Sequence, residues 1–485
     1  MYKKPSKKKE LVQRIAVYSV MSLAVLVIVT GIILFILGYR LDSNNGTLEQ
    51  NALVQFASKP SGATVAIDGV DIGPRTPSKQ SIMAGTHSFS MARTGYETWT
   101  KTLPTNAGTL TWLDYARLIP KSRTPANVSN YAELASVSAS PDGRSILLQA
   151  RSNESSFSLV DIRSDTIKQD ALTLPADIFT AAPQGATEQF AIGRWDTGSR
   201  HVFIQHVYGD KTEWIVLDTQ DAPSSVNVTR LFNVDMVNPI FSGTSGNILY
   251  ALSNGIIRRF DLGSSTISRA LVSNVASFDM YESNIVTYVG TDASDPSKRV
   301  AGVYRDGDNE AHVIATTDAS TPLFIATTRY FNDDYVAVIA GSKVKILKGS
   351  YPTSNRDDTS LDEFANFDVS SPVTSLSFSS SGDFLLVQSQ AAYDTYDLEH
   401  QRLSHFTYAE GQTTAPRLRW LDSAYLWGDE GGKLTLREFD GSNSYAMHNV
   451  TPGYDVSLSQ NGKYLYSIQK IDDVYHLQRI RMLLD

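Results

Sequence analysis

Four stretches of this 485-residue chain share one pattern, and that repetition limits the fold more than any other feature. They are Ala135–Leu148, Asn238–Tyr250, Thr374–Leu386 and Asp455–Tyr466. Each runs from a short strand-like segment through a polar, glycine-containing turn into an apolar strand; the shared turn glycines are Gly143, Gly246, Gly382 and Gly462. A tight turn often needs a positive φ, which glycine reaches without steric cost, so these four positions mark a common register.

After the apolar strand comes a second hairpin, and its far strand often ends in aspartate plus an apolar residue, as at Asp161-Ile162, Asp261-Leu262 and Asp397-Leu398. That makes four strands per unit. Weaker copies begin near Ile178, Asn274, Pro322 and Ala415, which gives eight units of about 44 residues over Glu133 to Asp485, the period of a β-propeller. Seven blades is the alternative, because the second unit is long and loosely patterned. The last unit is short and needs a strand from near Tyr131 to close the ring. Ser140-Pro141-Asp142-Gly143 and the strand pattern resemble WD-repeat-like propellers. The dipeptide Trp195-Asp196 falls out of place in its unit, so the resemblance carries architecture and no particular subfamily.

The other end of the chain has a different character. Lys3, Lys4, Lys7, Lys8, Lys9 and Arg14 precede an uncharged run from Ile15 to Leu37, which as a helix spans roughly 34 Å, enough to cross a bilayer core of about 30 Å. A cleaved signal peptide has a shorter apolar region and a small-x-small site; Gly38-Tyr39-Arg40 offers none. Positive flanks stay cytoplasmic, which places the C-terminal bulk outside. Removing the seven basic residues up to Arg40, and Glu10, from the totals of 43 basic and 51 acidic leaves a net charge of about −14, which argues against nucleic-acid binding. With no cysteine, disulfides and thiolate metal sites are excluded.

Between the run and the repeats lies a third pattern. Asp42 to Gln50, with Asn44-Asn45-Gly46, reads as a polar linker, and short strands with turn signals follow from Val54 to Leu118. Thr64-Val65-Ala66-Ile67 before Asp68-Gly69 predicts a tight hairpin. Pro60-Ser61-Gly62-Ala63, Val65, Ile67-Asp68-Gly69, Gly73, Thr76-Pro77, Gly85-x-His87 and Gly95-Tyr96-Glu97-x-Trp99 resemble, in order and spacing, the PEGA domain, a small β-sandwich-like module of envelope proteins. The step from Gly73 to Thr76 is one residue longer than usual in that family. The resemblance implies surface attachment or interaction. His87 alternates onto the same face as Phe89 and Met91 and is expected to be structural; Tyr96 and Trp99 are expected in the core.

A search for catalytic chemistry finds no Gly-x-Ser-x-Gly, no His-Glu-x-x-His and no phosphate-cradling loop. His201 and His206 would face opposite sides of a strand, and His400 and His405 flank a turn; neither pair suits a metal. Asp306-Gly307-Asp308-Asn309-Glu310 is the best acidic tip for a hard cation, with solvated turn residues as the plainer account. Arg356-Asp357-Asp358 to Asp362-Glu363 reads as a charged connection, and Trp420, Tyr425 and Trp427 as blade packing. No catalytic, cofactor-binding or metal residue is assigned.

The sequence thus predicts a basic cytoplasmic tail (1–14), a transmembrane helix (15–38), a juxtamembrane linker (39–51), a PEGA domain (52–119), a linker (120–130) and a β-propeller (131–485). All of the ectodomain is β. The expected function is non-enzymatic: a single-pass, membrane-anchored extracytoplasmic binding or scaffolding protein of the cell envelope, with a protein or cell-wall partner. An envelope-polymer hydrolase or lyase with a site among propeller loops is the alternative. The partner, the binding face and the oligomeric state are not encoded legibly.

Overall fold

The computed structural model describes residues 7–36, 39–41, 48–353, 360–408 and 416–484, in two compact units divided between Lys121 and Ser122. Parts of the juxtamembrane linker, the charged connection around Arg356 and the predicted start of a unit at Ala415 lie outside the described residues.

In the first unit, Lys7–Ile36 is one α-helix. Its stretch Arg14–Leu34 has a mean hydropathy of 2.5, and none of it is buried. Residues left unburied do not owe their apolarity to a protein core.

The rest of that unit is two facing sheets. Ser78–Ile82, Ala52–Lys59 and Leu110–Arg117 form one, and Val70–Arg75, Thr64–Ile67, Gly85–Ala92 and Trp99–Thr105 the other. Alternation sends Ala52, Val54 and Phe56 inward from the first and Phe89 and Met91 from the second, all fully buried; the Phe56 and Phe89 rings meet at 5.7 Å. The predicted hairpin is present: Ile67 pairs with Val70, and Asp68 and Gly69 both have positive φ (51° and 81°). The long Gly73–Thr76 step forms a bulge, where Thr64 opposes Arg75 and Ala66 opposes Asp71. Thr76 is buried because its Oγ1 accepts from the Ala63 N–H (3.0 Å) and meets Ser58 Oγ (2.7 Å), tying the Pro60–Ala63 loop to the domain.

The second unit contains eight four-stranded antiparallel sheets. Blade 1 is Ser136–Ala139, Ser145–Gln149, Ser156–Asp161 and Lys168–Thr173. Blades 2 to 7 begin at Glu188, Val237, Val275, Leu323, Val373 and Arg419. Blade 8 is composite: Ser457–Leu458, Tyr464–Ile471 and Val474–Arg481 are completed at the outer edge by Ala126–Tyr131.

The second strands carry the core because both of their faces are covered. In blade 1, Ile146 and Leu148 pack with Tyr466 and Ile468 of blade 8, while Leu147 packs with Val202 and Ile204 of blade 2. In blade 2, Phe203 turns the other way, onto Phe241 of blade 3 (3.9 Å between ring centres). Mixed apolar clusters continue from blade 3 to 4, 4 to 5, 5 to 6 and 6 to 7. Blade 7 meets blade 8 where His448 Nε2 lies 2.6 Å from Ser467 Oγ and Thr451 N–H donates to Ile468 O (2.8 Å). Each sheet therefore packs on its two sequence neighbours, the eighth on the first, and the ring closes.

Eight blades replace the alternative of seven. Two expectations are corrected. Residues 126–130 are not linker but the closing strand, whose N–H and C=O groups complete the edge of Val474–Arg481. The second blade starts at Glu188 and not near Ile178; residues 174–187 are a long connection.

Candidate functional site: the turn-bearing rim

In a four-stranded meander the first-to-second and third-to-fourth turns lie at the same end, so seven blades bring two strand connections each and the composite blade 8 brings one, fifteen in all, toward one rim. The repeat motif builds this rim. In blade 1 the Ser140 hydroxyl accepts from Ser145 N–H (3.0 Å) and donates to Asp142 (2.7 Å), while Gly143 turns with φ 65°. Blade 8 repeats the device: Ser459 accepts from Tyr464 N–H (3.0 Å) and donates to Asn461 (2.8 Å). Ser379 plays the same part in blade 6. Blade 2 substitutes a carboxylate: Asp196 Oδ1 accepts from the N–H groups of Arg200 (2.9 Å) and His201 (3.1 Å).

Trp195-Asp196 closes the first strand of blade 2, where Asp196 holds the place of Ser140, Ser379 and Ser459 as a turn cap. Trp195 Nε1 donates to Ser138 Oγ of blade 1 (3.0 Å), and Trp420 Nε1 makes the same bond to Ser377 of blade 6 (3.2 Å). The terminal aspartates of the third strands cap the other turns. Asp218 takes Gln220 N–H (2.9 Å) and pairs with Arg200. Burial would raise its pKa, but Arg200 and the backbone donor together hold it below the ordinary carboxylate value. Asp397 takes the N–H groups of Glu399 and His400 (2.9 and 3.0 Å).

Between innermost strands, Arg194 of blade 2 reaches Asp279 of blade 4 (2.6 Å), and both side chains are about half exposed.

The histidines are dispersed along the chain. His201 Nδ1 meets Asp196 (2.8 Å); His206 is fully buried between Glu188 (3.0 Å) and Glu213 (3.4 Å), its ring stacked on Phe190. His400 meets Asp397 (2.9 Å) and His405 meets Asp394 (2.7 Å). The Asp397 bond raises the pKa of His400. In the first unit, His87 Nδ1 meets Asp68 (2.7 Å) beside Phe89, and Tyr96 and Trp99 are buried.

The acidic tip does not converge. Asp308 is buried and accepts from the Thr353 hydroxyl (2.7 Å), while Asp306 faces Arg259 (3.8 Å). Among the described residues no group of three or more His, Asp or Glu side chains is placed to hold a metal ion. Tyr425 and Trp427 are buried in blade 7.

One rim residue escaped the sequence reading. Phe331, at the first turn of blade 5, is 78% exposed with a φ of 52°. The signal was an aromatic between Tyr330 and Asn332-Asp333, where a turn was due.

Residues 53–118 match the family model of the PEGA domain. No curated protein matches the sequence. Among solved structures, the chain is similar to Kluyveromyces lactis Hsv2 at 11% identity, over 73% of this chain and 100% of that one, with a TM-score of 0.37. It is similar to the beta-propeller domain of Myceliophteria thermophila Cps50 (Swd1) at 10% identity, over 73% and 98%, TM-score 0.37. Porphyromonas gingivalis dipeptidyl peptidase 4 shares 13% identity over 69% and 56%, TM-score 0.46. Likeness at this level speaks to none of their activities; the fold rests on the eight closed sheets. The chain carries a PEGA domain at 53–118 followed by an eight-bladed β-propeller.

Proposed function

We propose that this chain is a single-pass, membrane-anchored extracytoplasmic protein of the cell envelope that binds or scaffolds and is not an enzyme. Its propeller rim is the surface offered to a protein or cell-wall partner. The observation that carries the reading is the rim itself: turns from eight blades, those of blades 1, 2, 6 and 8 capped by their own side chains, on a frame whose core is closed. Rigid frames with loop-borne surfaces suit recognition. The exposed apolar stretch Arg14–Leu34 supports the anchor, and the lysines before it support the orientation. The dispersal of the histidines, each of His87, His201, His400 and His405 against an aspartate of its own neighbourhood, supports a structural use for those groups, since a catalytic set needs several groups aimed at one reacting atom.

External protease on intact cells, with any outer barrier permeabilised, tests the topology. Degradation of everything after about Asp42 is expected, and protection of the propeller would reverse the orientation. Extraction tests the anchor: the full-length chain should need detergent, and recovery in a salt wash alone would remove the membrane from the proposal.

A further inference from the structure

We propose that Phe331 is the apolar anchor of a docking site on the rim, and that the occupant is a protein presenting an apolar pocket ringed by lysine or arginine. This rests on the rim being a binding surface and adds the chemistry of what it binds.

Leu323–Tyr330 and Asp333–Ala340 pair as far as Tyr330 with Asp333, so Phe331 and Asn332 form a two-residue turn. At φ 52° the first turn position suits glycine, asparagine or aspartate, and a bulky side chain there is disfavoured. Every other non-glycine residue with positive φ among the described residues is polar. Phe331 is also the most exposed large apolar residue described, above even those of the N-terminal helix. Folding explains neither the residue type nor its position, and strain held at an exposed residue is a mark of function.

The tip is held in place and stands in a negative field. Its ring lies 4.6 Å from Tyr330, whose hydroxyl donates to Glu399 of blade 6 (2.9 Å). Burial chiefly, then Glu399 and Asp383, raise the pKa of that hydroxyl. On the blade 4 side, Tyr281 accepts from Arg329 N–H (2.8 Å), and Glu282 is the next residue. Two of the nearby cations are already engaged, Arg329 with Asp334 (2.7 Å) and Lys348 with Asp333 (3.0 Å). An aromatic among carboxylates favours a cationic, pocketed protein surface and disfavours anionic headgroups.

The test places a photoreactive residue at 331, and for comparison at Ser342 in the opposite-end turn of the same blade, in the full-length protein in cells. Any captured protein is purified and its affinity for the detergent-solubilised full chain measured. Capture at 331 and not at 342 is expected. Phe331→Asn should weaken binding by about tenfold or more while leaving the melting temperature unchanged or higher, and Glu399→Gln should weaken it less and flatten its salt dependence. The proposal is overturned if Phe331→Asn binds like the wild type, if it lowers the melting temperature, or if position 331 captures lipid or a second copy of the chain. Capture from other turns, insensitive to Phe331→Asn, overturns the anchor and leaves the binding function standing; no capture from either end of any blade removes both.

Discussion

In the PEGA domain the first and last strands, Ala52–Lys59 and Leu110–Arg117, run parallel and side by side, the first at the centre of its sheet and the last at its edge. In the propeller the two ends meet at the periphery, where Ala126–Tyr131 pairs antiparallel with Val474–Arg481. The sandwich has one core shared by two sheets, with Phe56 against Phe89. The propeller has a succession of cores, each between neighbouring blades. The difference lies in how damage spreads. A sandwich loses its only core at once, whereas a ring depends on closure, because an opened ring leaves two terminal blades with a bare face each.

Removing the closing strand breaks the comparison most severely. Deleting residues 126–131 should cost the propeller on the order of 5 kcal/mol or more, comparable with the stability of a whole domain, and leave the PEGA transition in place. Calorimetry of the full chain checks this; a propeller transition within a few degrees of the wild type would show that closure contributes little. The mirror experiment is Phe89→Ala, which empties the centre of the sandwich and should cost about 3–5 kcal/mol. It should abolish the PEGA transition and spare the other.

The turn glycines sharpen the ring argument. A Cβ on Gly143 would sit 2.8 Å from Leu458 O and 2.9 Å from Gln460 N, backbone atoms of blade 8. One on Gly462 would meet nothing within 4 Å, although both residues have positive φ. Gly462→Ala should therefore cost about 1 kcal/mol, from backbone strain alone. Gly143→Ala should cost about 2–3 kcal/mol, because the seam between first and last blades must also shift. Equal midpoint changes in denaturant would mean that the seam yields freely.

These two glycines show what the sequence could and could not reveal. Periodicity exposed them as turn markers, because the need for positive φ is local. That Gly143 touches blade 8 is a long-range fact, invisible without the ring. The hairpin at Asp68-Gly69 and the alternation that buries Phe89 were legible for the same local reason. The capping role of Asp196 was not legible because blade 2 caps its turn with a carboxylate where blades 1, 6 and 8 use serine: the chemistry is preserved and the letters are not. The closing strand hid in a segment rich in proline and polar residues, since an outer strand needs little apolar character. Phe331 stayed hidden because an aromatic in a predicted strand pair reads as packing, and only its φ and exposure contradict that.

Two histidines give the smallest effects, and they differ in sign. Burial pushes the pKa of His448, at the seam of blades 7 and 8, down to about 4. The unfolded chain then binds more protons than the fold below about pH 6.5, so this part of the propeller's stability is lost as pH falls from 6.5 towards 4. It amounts to about 2 kcal/mol once partial exposure is discounted. His87 behaves oppositely: its bond to Asp68 raises its pKa, so its contribution is complete below pH 6.5 and lost as pH rises through the folded value. Solvent reaches that pair, which limits the contribution to about 0.5 kcal/mol. His400, raised by Asp397, acts like His87 within the propeller, so the His448 effect must be read as a difference. Wild type minus His448→Gln should lose stability only on the acid side, in the propeller transition. Wild type minus His87→Gln should lose it towards alkaline pH, and again in strong acid where Asp68, held low by His87, takes up its proton, in the PEGA transition. Two difference curves of the same sign would mean that at least one ring sits in surroundings opposite in character to those described, and the contrast between an ion-paired sandwich histidine and a desolvated seam histidine would fall.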